Sequence, residues 1–459
     1  MISHAPLAAR MLALHARRAR GLALALLLPA ALLSACHRKV EPQPLAPSSK
    51  PPTGPASGAA QAGAGSSSAT GSFPSASSGA EQAGAGTPSL KTPESQESSR
   101  AQPKEPRPPA APCLDLPADV EPSLSDLLEQ AAHEFERSRY DTSLECAREA
   151  SREDPGSVAA HHFRAAALAE LGELDESRTA YARALALDPD DPEVLRSAAD
   201  LYVRRLGSRD DLELALDYVH RALPRATKGK DKSLLKELHL LQAMALDDLG
   251  KPAQALASSI KALEFEPKDR EARREKGVAL FELSRFDQSR AELARLAAEE
   301  PDAWAEQYLG LIAERSQDYV AAQAHFAKAQ QLDPEAFQSL SSAETAAHFG
   351  EVVKEEVEKL PPDIRAGLSQ SDFAVEDLPD VADLVATDPP LSPGILGLFR
   401  PPQEGAPADT RPAIILYRRN LARAVRSEEE LHREVRDTLL HEVGHLNGED
   451  DDQLRDRGL

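Results

Sequence analysis

The pattern of apolar and polar positions divides the chain into four stretches. An unbroken apolar run, Gly21 to Leu33, follows the basic residues Arg17, Arg18 and Arg20. At 13 residues it is too short to cross about 30 Å of hydrocarbon as a helix, so it reads as the core of a cleaved leader spanning residues 1–35. In residues 41–112, Pro, Ser, Ala and Gly fill 50 of 72 positions. Such a stretch cannot bury enough surface to offset its chain entropy, so residues 36–112 are expected to form a disordered tether with an end-to-end distance of about 50 Å. Through residues 119–340 similar segments recur and close on proline, at Pro155, Pro189, Pro267, Pro301 and Pro334, with spacings of 34, 78, 34 and 33. The long gap holds two units and an insertion, for which the Lys/Gly-rich Thr227–Lys232 is expected to be a loop. From about Ala343 to Leu459 the period is gone. A helix over Ala346–Leu360 stops at Pro361-Pro362, and short strands are expected at Asp372–Glu376, Ile395–Phe399 and Ala413–Tyr417. A last, long helix starts at a Ser427/Glu430 capping box, buries Val435, Leu439, Val443 and Leu446, and ends at Asn447-Gly448.

Composition narrows the fold and the partners. The length of 459 residues suits several folded units, and few aromatics (4 %) with recurrent Ala, Leu, Glu and Arg suit stacked helices, so the fold should be mostly α. A net charge of −22 argues against nucleic acid as a partner. Three cysteines, Cys36, Cys113 and Cys146, are too few for a disulfide framework, and Cys146 is expected to be a small buried hydrophobe.

The repeating segments resemble the tetratricopeptide repeat, a 34-residue helical hairpin, in six copies over Ser123–Pro334. The best copy places Ala165, Gly172, Tyr181, Ala184 and Pro189 on the family's small, turn, large, small and stop positions, and the last does the same with Leu309, Gly310, Ala322, Phe326, Ala329 and Pro334. Each hairpin alone leaves an apolar face bare, so neighbours stabilise one another in an α-solenoid. The array is expected to fold independently of the C-terminal segment, and the resemblance implies a protein or peptide partner in its concave groove. Near the N-terminus, Leu33-Ser34-Ala35-Cys36 resembles the bacterial lipobox, which implies lipidation of Cys36 and attachment to a membrane. His37, in place of the Asp that retains many such proteins at the inner membrane, favours the outer membrane, facing the periplasm or the surface.

The last long helix carries His441-Glu442-Val443-Gly444-His445. Histidines four apart lie one turn above each other, so both imidazoles can reach one Zn²⁺, and Glu442 beside them can take a proton from metal-bound water. A catalytic site needs a third protein ligand; Gly448 permits a sharp turn after which Asp451 can return beneath the metal. A purely structural zinc site is disfavoured because such sites are closed by four ligands, usually rich in Cys.

The segments Val353–Pro362, Ile395–Phe399, Ile414–Arg419 and Glu434–Leu454 resemble the minimal zincin-like metallopeptidases of bacteria, of the H-E-x-x-H-x-x-G-x-x-D type. The resemblance implies a small α+β domain, with His441, His445 and Asp451 as zinc ligands and Glu442 as general base. The chain departs from the family at Leu446, Asn447 and Glu449, and Asp450 and Asp452 flank the third ligand. The reading is a membrane-anchored zinc metallopeptidase that cleaves peptide bonds in a protein or peptide substrate. The alternative is a non-catalytic envelope adaptor with an idle metal-bound domain, and the presence of Glu442 speaks against it.

Overall fold

The structure is a computed structural model that describes residues 122–337, 345–402 and 409–458, with Cys113, Gly405 and Pro407. The leader, Cys36 and the tether lie outside the described residues. Among the described residues no helix is long and apolar enough to cross a membrane.

Twelve helices make six antiparallel hairpins: α1 (Leu124–Glu136) with α2 (Tyr140–Glu153), α3 (Val158–Glu170) with α4 (Leu174–Leu187), α5 (Pro192–Leu201) with α6 (Arg209–Gly229), α7 (Lys232–Asp248) with α8 (Pro252–Phe265), α9 (Arg270–Glu282) with α10 (Phe286–Glu299), and α11 (Ala303–Arg315) with α12 (Tyr319–Leu332). The first helix of every hairpin starts on a short side chain, Ser123, Ser157, Asp191, Asp231, Asp269 or Asp302, that accepts from a first-turn N–H. A left-handed residue turns each hairpin: Ser138, Gly172, Gly207, Gly250, Ser284 and Gln317. In three hairpins a buried serine of the second helix donates to a carbonyl of the first: Ser143 to Ala131, Ser177 to Ala165 and Ser289 to Gly277, at 2.7 to 2.8 Å. Such a bond requires the two backbones to lie close, which the small residues Ala165 and Gly277 allow. Gly310 is packed likewise: a Cβ there would lie 2.6 Å from the Phe326 ring.

Two expectations are corrected in this half. The insertion is not a loop, because α6 continues through Thr227–Gly229 and ends on left-handed Lys230. The buried stripe Leu216, Val219, Ala222, Ala226 still stabilises helix there, and most of the remaining length goes into α7, which has 17 residues where the first helices of the hairpins on α3 and α9 have 13. Cys146 is not a free buried thiol, since it forms a disulfide with Cys113 that ties the chain ahead of the array to α2. No regularity of spacing marks that pair, and burial alone looks the same for a thiol and a half-cystine.

The second half comprises α13 (Ala346–Lys359), α14 (Pro362–Ser369), β1 (Asp372–Glu376), α15 (Val381–Leu384), β2 (Gly397–Arg400), β3 (Ala413–Tyr417), α16 (Arg418–Ala424), α17 (Glu428–Leu446) and α18 (Asp451–Asp456). The sheet order is β1-β3-β2, with β1 parallel and β2 antiparallel to β3. Ile414 and Leu416 face Phe349, Val352 and Val353 of α13 and Val435, Leu439 and Val443 of α17. Ile415 and Tyr417 face the opposite way, into a smaller core with Leu384, Leu391, Ile395 and Phe286 of the repeat helix α10.

In that second core the two halves are in contact: the sheet has two apolar faces, and part of the cover for one comes from a repeat. Polar contacts lie along the same seam. Glu314, only 5 % exposed at the end of α11, accepts from Arg419 Nη1 at 2.9 Å and Arg423 Nη1 at 2.5 Å, both on α16. Arg315 donates to the Pro379 carbonyl at 2.6 Å. The Arg419 and Arg423 guanidiniums also lie over the rings of Tyr319 and Phe326 on α12.

Candidate metal centre

Helix α17 begins as expected, with Ser427 Oγ accepting from Glu430 N–H at 3.2 Å, but the box is not reciprocal: Glu430 reaches one residue further back and accepts from Arg426 N–H at 2.7 Å. Val435, Leu439 and Val443 are fully buried and fix the helix against the sheet. This rotation places His441 and His445 on one side and Glu442 between α17 and β2.

The chain brings His441, His445 and Asp451 together, with one donor atom of each within 4.8 Å of the others. The two Nε2 atoms are 3.1 Å apart, and Asp451 Oδ1 lies 3.6 Å from His441 Nε2 and 3.5 Å from His445 Nε2. A tetrahedral zinc with bonds of about 2.0 to 2.1 Å separates its donors by about 3.3 Å, so this triangle fits such an ion in size and donor type. His445 Nδ1 lies 3.0 Å from the Glu449 carbonyl, to which it can donate, leaving Nε2 with its lone pair free for a metal. Desolvation pulls the His445 pKa down, but hydrogen bonds to Asp451 and the Glu449 carbonyl outweigh it and hold the pKa above the usual value.

The return of Asp451 depends on three features. Gly448 takes φ 88°, a left-handed conformation that lets the chain reverse after Asn447. Asp450 caps α18, accepting from Gln453 N–H at 2.9 Å while Gln453 bonds back to the Asp450 N–H. Its carboxylate is thereby engaged in the cap, while Asp451, one residue on, faces the histidines. The Asp452 side chain lies outside the described residues. Finally, Gly444 lies directly under Leu454 of α18, where a Cβ would overlap the leucine. Glu449, one of the departures from the family pattern, forms an ion pair with Arg457 and so braces the same turn.

Glu442 is 6 % exposed and lies against β2, where the Phe399 N–H favours its carboxylate form. Gly397 allows this approach, since a Cβ there would lie 2.7 Å from Thr438 and 2.9 Å from Glu442 Oε1. Burial raises the Glu442 pKa to about 6, against the opposing pull of His441, His445 and the Phe399 N–H. Sequence reasoning misses Gly397, Gly444 and the Phe399 N–H. A glycine inside a helix, which costs about 1 kcal/mol relative to Ala, is the one signal available for Gly444.

Residues 368–459 match the family model for zincin-like metallopeptidases, and residues 128–192 and 240–303 match that for tetratricopeptide repeats. No curated protein matches the chain. Similar solved structures include PilF of Pseudomonas aeruginosa, at 18 % identity and a TM-score of 0.39 over 46 % of this chain and 92 % of that one. PilW, a type IV pilus biogenesis factor, gives 18 % and 0.41 over 46 % and 94 %. YrrB, a repeat protein with an unusual peptide-binding site, gives 23 % and 0.33 over 42 % and 94 %. The chain thus carries tetratricopeptide repeats followed by a C-terminal zincin-like metallopeptidase domain.

Proposed function

We propose that the protein is a zinc-dependent peptidase of the cell envelope, held to a membrane through Cys36, whose repeat array engages a protein or peptide partner. The observation that carries the reading is the carboxyl of Glu442, buried beside the His441–His445–Asp451 triangle yet outside it. A structural site has no use for such a group, whereas hydrolysis needs one to hold a proton close to the reacting atoms. His441, His445 and Asp451 would hold the ion. Zinc, when bound there, supplies a Lewis acid for the scissile carbonyl and a more acidic water. Glu442, buried against Gly397 of β2, is placed to take up and release a proton beside the ion. The Cys113–Cys146 disulfide supports an oxidising compartment, as the envelope is and the cytosol is not.

The test uses the chain from residue 37 onward. Zinc content near one per chain and cleavage of a denatured protein substrate are expected, with Glu442→Gln keeping the zinc and losing the cleavage. Zinc retained with no cleavage of any substrate in a protease screen would favour the adaptor. For the full chain, Cys36→Ala should move the protein from the membrane fraction to the soluble one; persistence in washed membranes would refute that anchor.

A further inference from the structure

Strand β2 stands at the edge of the sheet, paired on one side with β3, yet it is the strand that lies against Glu442. A Cβ at Gly397 would stand 2.9 Å from Glu442 Oε1 and 2.7 Å from Thr438, so the backbone there touches the side chains of α17 and a shift of β2 is felt at Glu442. What holds the entry to β2 therefore bears on the site.

Asn420 of α16 holds that entry. Its Nδ2 donates to the Pro393 carbonyl at 3.0 Å and to the Ile395 carbonyl at 2.7 Å, the latter two residues before Gly397. Its Oδ1 accepts from Arg423 Nη2 at 3.0 Å. The side chain is buried with both N–H groups and its oxygen engaged, which fixes it in one orientation. Beside it the Leu396 carbonyl accepts from the Tyr417 N–H at 2.8 Å, so the corner between β3 and α16 grips the segment at neighbouring points.

Arg423 carries the connection further. Its Nη1 donates at 2.5 Å to Oε2 of Glu314, the buried carboxylate at the end of α11 in the last repeat, whose other oxygen accepts from Arg419 Nη1. Three hydrogen-bonded steps thus run from Glu314 through Arg423 and Asn420 to the Ile395 carbonyl. Other polar contacts of the seam lead elsewhere, since Arg315 and Arg419 bond the loop after β1 at Pro379 and Asp377.

We propose that Asn420 is a positioning residue for the peptidase site and that Glu314 acts through it, so that the repeat array sets how β2 lies against Glu442. The carboxylate of Glu314 orients Arg423, Arg423 fixes the Asn420 amide, and the amide fixes the segment from Pro393 to Ile395. The proposal rests on the reading of Glu442 as general base, and it gives the array a role at the metal centre besides engaging a partner.

The zinc-loaded chain from residue 37 onward is compared with Asn420→Asp, Glu314→Gln and the double variant, by hydrogen exchange and by cleavage of fluorescein-labelled, denatured casein. Asn420→Asp keeps an oxygen for Arg423 but has no N–H for the two carbonyls, so the amides of β2 should exchange about tenfold faster while α1 and α2 stay as protected as before. Its kcat should fall about tenfold, with KM nearly unchanged and zinc still near one per chain, because a displaced Glu442 loses alignment and neither substrate nor metal. Glu314→Gln should show the same pattern to a smaller degree. The double variant should be no worse than Asn420→Asp alone, since both changes act on one relay. Unchanged β2 exchange in Asn420→Asp, additive effects in the double variant, or a rise in KM in place of the fall in kcat would overturn the proposal. A wild-type chain that cleaves nothing would refute the peptidase reading instead, and the exchange rates of the three variants would then decide the relay by themselves.

Discussion

Leu454 packs directly on Gly444, so that helix α18 rests on α17, the helix of His441 and His445, at the one position where α17 has no side chain. This contact sets the distance at which Asp451, three residues before Leu454, meets His441 and His445.

Gly444→Ala should therefore damage the metal site without touching a ligand. The added methyl forces α18 outward and Asp451 with it, so zinc affinity should fall by about 10- to 100-fold, as changes to supporting groups commonly cause. Competition with a fluorescent zinc chelator measures this. An affinity within twofold of wild type would show that α18 is not what positions Asp451.

The individual ligands should behave alike. His441→Ala, His445→Ala and Asp451→Ala each leave two protein donors and should lose stoichiometric zinc, whereas Asp450→Asn, which retains an oxygen for the cap, should keep it. Full zinc retention by Asp451→Ala would assign the third ligand to another residue.

Breaking the seam between the halves should uncouple them. Glu314→Ala leaves Arg419 and Arg423 without their shared buried carboxylate, a change expected to cost about 3 kcal/mol. Thermal unfolding followed by circular dichroism should pass from one transition to two. A single transition at the wild-type temperature would mean that the other seam contacts, those of Phe286 and the Arg315–Pro379 bond among them, suffice to hold the halves together.

Acid should unfold the array through His162. Its ring is buried against Ser197 Oγ at 2.9 Å, and burial, followed by the nearby Arg196, lowers its pKa from 6.5 to about 3. Between those values the unfolded chain takes up a proton that the folded chain refuses, so stability is lost as pH falls through this window and is insensitive to His162 above it. The slope from this residue is at most about 1.4 kcal/mol per pH unit. Denaturant titrations of His162→Gln at pH 6, 5 and 4 should show a flatter decline than wild type; parallel declines would exclude His162 as the acid-sensitive group.

Reduction should loosen the start of the array. The disulfide closes a loop over 33 positions, so Cys146→Ser should destabilise the first hairpin by about 3 kcal/mol. Hydrogen exchange in α1 and α2 would report it, and unchanged protection there would rule out a stabilising role for the bond.

The repeats and the motif are legible in the sequence because both are local. A hairpin repeats its small, large and turn residues with a fixed period, so Ala165, Tyr181 and Phe326 announce their packing. Histidines four apart share a helix face whatever surrounds them, and Gly448 signals the turn that returns Asp451. Contact between residues distant along the chain lies beyond that reach. The Cys113–Cys146 bond, the choice of Asp451 over the capping Asp450, the approach of Gly397 to Glu442, and the union of Glu314 with Arg419 and Arg423 all depend on where separately formed elements meet. Periodicity describes which face an element buries, and only the packed fold decides what that face is buried against. For this reason the sequence specified a repeat array and a helix with two histidines on one face, while tertiary structure alone brought them into contact by covering a face of the sheet with Phe286 of a repeat.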